Sequence, residues 1–351
     1  MDQLSAHLDR GWDLVQRGDL KAARVAAKRA VQAAPESPEA HNLLGYVAAQ
    51  DGDSDEALEH YRQAIALDDG YIDPFLNAAE VLIHPLQQFD EAIAMCDEVL
   101  EFAEAPEETA DAALLKVDAL LGKGERESAR AVLKLVPDAA IQGAVYPFLV
   151  GRAMYEVGQS SEAESHLAKA AEADPQNPDA HYYLGLVRDE KNDRRAAALA
   201  FLEARELDMA APTPPWSPSK AVFQQSVEKA VARLPPELLK AIDGTLILVA
   251  DAPGMEVVAD GVDPRAPVLL DGTPPPETPG PLATRVFIYR RNIERLCGGI
   301  EQIEDEVASQ LEDEIRHVLA HGDGADGVPE GTPAVPAAPA TPAVPETPTA
   351  S

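Results

Sequence analysis

The chain has 351 residues, a length that suits two or three domains better than one continuous core. Acidic residues outnumber basic ones by 61 to 29, and a net charge of -32 repels phosphate backbones and anionic lipid, so neither nucleic acid nor a membrane is expected as a partner. No apolar run reaches the ~18 residues of a membrane helix, no secretory signal is visible at the start, and Cys96 and Cys297, far apart, suit a reducing compartment. A cytoplasmic protein is expected.

From the N-terminus the dominant feature is an interval of 34 residues. It separates Gly11 from Gly45, Ala23 from Ala57, Ala30 from Ala64 and Gly151 from Gly185, and it links Ala129, Ala163 and Ala197. The interval predicts helical hairpins beginning near residues 4, 38, 72, 110, 144 and 178. Small residues at fixed positions let helix A of each hairpin approach helix B, and Tyr61 or Phe201 is expected to fill the gap to the next hairpin. Pro35 and Pro175 end their helices for want of a backbone donor. Asp-Gly-Asp at 51–53 and Lys-Asn-Asp at 191–193 read as the turns between A and B. Two hairpins depart from the pattern. The third carries His84-Pro85 and one extra residue, which predicts an irregular turn; the fourth has Val117 where glycine recurs and comes after an acidic segment, 101–108.

The segments PEAHNLLGYVAAQDGDSDEALEHYRQAIALD and PDAHYYLGLVRDEKNDRRAAALAFLEARELD resemble the tetratricopeptide repeat. The resemblance implies an all-α superhelix of about six hairpins over residues 1–210, able to fold without the rest, with a groove built from the A helices. On the family's geometry Asn42, Tyr46, Glu80, Asp118, Phe148, Arg152, Tyr155 and Tyr182 point into that groove, where a protein or peptide binds. The basic residue and paired asparagines that hold chaperone tails in one subset of the family are absent.

Residues 211–218, rich in proline, read as a stiff linker. Beyond it helices are predicted over 220–233, from Pro236 to Ile242 and over 301–320, and strands over 245–250, 268–270 and 285–289. From Pro333 to Pro348 a proline recurs every third residue, the period of a polyproline II helix, and residues 325–351 lack the large apolar side chains of a core; a disordered tail is expected.

Residues 219–324 resemble the minimal zincin-like metallopeptidase family of bacteria. The likeness rests on RLPPELLKAIDGTLILVAD, DGTPPPETPG, RVFIYRRNIERLCG and a final helix in the place of the metal motif His-Glu-x-x-His-x-x-Gly-x-x-Asp. It implies a small α+β domain. In that motif two ligands one helical turn apart face one metal, and the glutamate polarises its bound water. This chain reads DEIRHVLAHGD. Asp313 replaces the first histidine, Glu314 and His317 match, Ala320 replaces the glycine and Asp323 falls on the last ligand; His321 lies one turn beyond His317. Aspartate reaches less far than imidazole, and alanine resists the left-handed turn that glycine allows. The expectation is an adaptor with an inactive metallopeptidase-like domain and no cofactor. Two alternatives stand beside it: a divergent zinc peptidase, with Glu314 as general base and substrates recruited by the repeats, and a regulator that sequesters a partner without cleaving it.

Overall fold

A computed structural model describes residues 3–137, 145–272 and 281–321. The Pro-rich tail, Asp323 and the side chain of His321 lie outside the described residues. Among the described residues twelve helices form six hairpins, of which the first four pairs are α1 (Gln3–Gln16) with α2 (Leu20–Ala33), α3 (Pro38–Gln50) with α4 (Ser54–Leu67), α5 (Asp73–Ile83) with α6 (Phe89–Phe102), and α7 (Pro106–Gly122) with α8 (Arg126–Leu133). The fifth and sixth pairs are α9 (Tyr146–Glu156) with α10 (Ser160–Ala173) and α11 (Pro178–Glu190) with α12 (Arg194–Ala210). By internal contact the chain divides between His166 and Leu167, so the sixth hairpin belongs to the same compact unit as the C-terminal region.

Each hairpin turns through one left-handed residue: Gly18, Gly52, Gln87, Gly124, Gly158 and Asn192, with φ between +53° and +83°. Gln87 marks the irregular third turn; a side chain is strained there, whereas the glycines adopt the same backbone freely. Asp19, Ser37, Asp53, Asn177 and Asp193 accept a backbone N–H at the start of their helices, which satisfies donors the helix leaves over. The small residues of the repeat do what the spacing requires. A Cβ on Gly45 would lie 2.7 Å from the Tyr61 ring, and one on Gly185 would collide with Phe201. These rings therefore pack on the glycine of their own hairpin, and Tyr61 also joins the next one through Ala78 and Leu82.

After the sixth hairpin come α13 (Lys220–Arg233), α14 (Pro236–Ala241), β1 (Leu246–Ala250), α15 (Met255–Ala259), β2 (Val268–Asp271), β3 (Arg285–Tyr289), α16 (Arg290–Leu296) and α17 (Ile303–His321). The three strands form one sheet in the order β1-β3-β2, with β1 parallel and β2 antiparallel to β3. Alternation along β3 sends Val286 and Ile288 into the core, where Phe223, Val227 and Ala230 of α13 meet Ile303, Val307, Leu311 and Ile315 of α17. Among the described residues no helix is long and apolar enough to cross a membrane.

Candidate functional site

One position of helix A recurs along the first compact unit and brings a row of side chains together. Trp12 packs edge-on against Tyr46, with ring centroids 5.1 Å apart. Tyr46 feels the charge of Glu80, Glu80 that of Asp118, and Asp118 pairs with Arg152 at 2.6 Å. His84, one turn beyond Glu80, lies within the fields of Asp118 and Arg152, and burial lowers its proton affinity. Burial, with the Asp118 charge beside it, pushes the Glu80 carboxyl up to about 7. Among the described residues no hydrogen bond or ion pair engages that carboxyl.

A second row runs near the N-terminal ends of the A helices. The Tyr146 hydroxyl donates to Asp111 at 2.8 Å, and burial pushes the Asp111 carboxyl up to about 6. Asp73, bonded to Tyr71, is also raised, chiefly by burial. Asn42 is fully buried; it donates to the Tyr71 hydroxyl at 2.9 Å and accepts from Asn77 at 3.1 Å. It therefore joins two hairpins and does not present itself to a ligand. Phe148 and Arg152 are buried, and Tyr155 is half-buried. Tyr182 sits in the other compact unit, where its ring is covered by Arg265 and its hydroxyl donates to Asp263. Tyr46, Glu80, Asp118 and Arg152 thus form one connected set, joined by Trp12 and His84. The sequence carried a sign of Trp12, which precedes Tyr46 by the repeat interval; His84, next to a proline, reads only as part of a turn.

In the second unit, α17 presents the remnant of the metal motif. Its apolar stripe is buried, while Asp313 is exposed and Glu314 and His317 are half-buried. Burial raises the Glu314 carboxyl, and the backbone N–H of Leu270 on edge strand β2 opposes the rise by bonding to it. Arg316 pairs with Glu312 at 2.6 Å on the exposed side of the helix. Ala320 is helical and α17 continues through His321, so the chain does not turn at the motif's glycine position. Among the described residues no three His, Cys, Asp or Glu side chains stand close enough together to hold a metal ion. Asp313 and His317 lie one turn apart on α17, and the other two candidate ligands, His321 and Asp323, have no described side chain. The thiols of Cys96 and Cys297 are buried, and burial pushes both up to about 12, which makes them poor nucleophiles.

Comparison with known proteins recovers both resemblances. The tetratricopeptide repeat profile matches residues 8–72 and 150–212, and the zincin-like metallopeptidase profile matches residues 242–326. No curated protein matches the chain. Among solved structures, pilF of Pseudomonas aeruginosa is similar at 20% identity over 60% of this chain and 93% of its own, with a TM-score of 0.50. PilW, a type IV pilus biogenesis factor, is similar at 18% identity over 59% and 94%, with a TM-score of 0.51. The Cut9–Hcn1 tetramer of the APC/C is similar at 16% identity over 59% and 41%, with a TM-score of 0.50. Identities this low speak for the fold alone. The chain thus carries tetratricopeptide repeats in its N-terminal part and, at its C-terminal end, a region similar to the zincin-like metallopeptidases.

Proposed function

We propose that the chain is a protein-binding adaptor whose A-helix row, from Trp12 through Tyr46 and Glu80 to Asp118 and Arg152, receives a polypeptide segment bearing a basic side chain. The observation that carries this reading is Glu80. A carboxyl held in a half-buried row, raised by burial and by a like charge, destabilises its own fold and is best relieved by a cation from outside. Trp12 and Tyr46 beside it offer aromatic surface to the same segment. The zincin-like region acts here without cleaving: its motif lacks the first histidine and the turn-forming glycine.

Selection of a random displayed peptide library on the full chain tests the reading. Peptides containing lysine or arginine should be enriched, and Glu80→Gln should abolish the enrichment while leaving helicity unchanged. Enrichment of acidic or purely apolar peptides, or enrichment indifferent to Glu80→Gln, would overturn it. Recovery of cleaved peptides that depend on Glu314 would favour the divergent-peptidase alternative.

A further inference from the structure

In the first compact unit each B helix is covered by the next A helix: α2 packs against α3, α4 against α5 and α6 against α7. Among the described residues no seventh hairpin follows α12. Its neighbour is α15, a five-residue helix of the zincin-like region. A helix end and a repeat face left open in this way expose unpaired carbonyls and apolar surface, which repeat proteins close with a terminal cap.

We infer that the zincin-like region is the cap of the last hairpin, fastened by Arg265. Arg265 is almost fully buried, with its guanidinium 4.2 Å above the Tyr182 ring of α11. It pairs with Asp179 of α11 at 2.6 Å and with Asp208 of α12 at 2.9 Å, so one side chain ties both helices of the hairpin. Arg295 of α16 binds the same two carboxylates, at 3.1 and 2.8 Å. Arg291 donates to the carbonyls of Asp208 (2.8 Å) and Ala211 (2.5 Å), which caps the C-terminal end of α12 with a cation, as the helix dipole favours. In the other direction Arg205 of α12 donates to the carbonyl of Pro253. The loop that presents Arg265 is itself fixed: Asp263 accepts from the Arg265 backbone N–H and from the Tyr182 hydroxyl, and Asn292 donates to the carbonyls of Pro264 and Ala266. These contacts lie away from the metal-motif helix α17, whose apolar side is buried in the sheet core. The zincin-like region thus serves as structure for the last hairpin.

The inference is independent of the ligand of the A-helix row, and amide hydrogen exchange on the full chain tests it. In Arg265→Ala, exchange in α11 and α12 should speed up on the order of 100-fold, because two half-buried carboxylates lose one of their two arginine partners and the Tyr182 ring loses its cover. Exchange in α3, α4, β3 and α17 should stay unchanged. Should Arg265→Ala fail to fold, Arg265→Lys keeps the charge but loses the two-pronged geometry, and should give a smaller acceleration at the same helices. Unchanged exchange in α11 and α12 in a folded variant would overturn the inference. So would equal acceleration throughout residues 167–321, since hairpin and C-terminal region would then be one cooperative body and not a hairpin with a cap.

Discussion

Glu80 raises the free energy of the fold that holds it. Its carboxyl titrates near 7 in the folded chain against about 4.5 when unfolded, so the folded state binds this proton more tightly. The stability it contributes is complete below pH 4.5 and is lost as pH rises through 7. Glu80→Gln should therefore stabilise the first compact unit by about 1–3 kcal/mol at pH 8 and by almost nothing at pH 4, read from urea midpoints at the two values. A stabilising substitution that also removes binding marks a residue kept for function; equal stability at both values would remove the electrostatic argument. At this scale the resemblance to the repeat family implied that Tyr46, Glu80, Asp118 and Arg152 share the groove. It could not show that Asn42 is consumed between hairpins, because that depends on Tyr71 and Asn77 arriving from the next repeat.

Among elements, those with long periodic patterns were legible. The helix predicted over 220–233 is α13, and the strand over 285–289 is β3. The two missed helices, α15 and α16, have five and seven residues, too few for a 3.6-residue period to show. The decisive element for chemistry is α17. Its motif was readable letter by letter, but the helical state of Ala320 depends on how the helix end settles. The purified chain should hold well under one zinc per molecule, measured by inductively coupled plasma mass spectrometry. The double variant Asp313→His with Ala320→Gly restores the family motif, and its zinc content should rise. Stoichiometric zinc in the unaltered chain that disappears in His317→Ala would contradict this view of α17.

On the scale of the whole molecule, the sequence supports a boundary near residue 210, where periodicity gives way to proline. The structure groups the sixth hairpin with the C-terminal region, through side-chain contacts between residues 57 to 116 positions apart that leave no local pattern. A chain ended at residue 211 should accordingly keep hairpins one to five helical and protected, while α11 and α12 fray. Full protection of α12 in the shortened chain would mean that the hairpin needs no cap.

The most direct test of a binding role is the pH dependence of affinity. A lysine- or arginine-containing peptide from the selection is titrated into the full chain by calorimetry at pH 6 and pH 8, beside Glu80→Gln. Only the ionised carboxylate attracts the cation, and its population rises about tenfold across that range when the carboxyl titrates near 7. Affinity should tighten by about the same factor in the unaltered chain and stay flat in Glu80→Gln. Affinity that is independent of pH in the unaltered chain, or that tightens equally in the variant, would contradict the assignment of Glu80 and its row as the binding site.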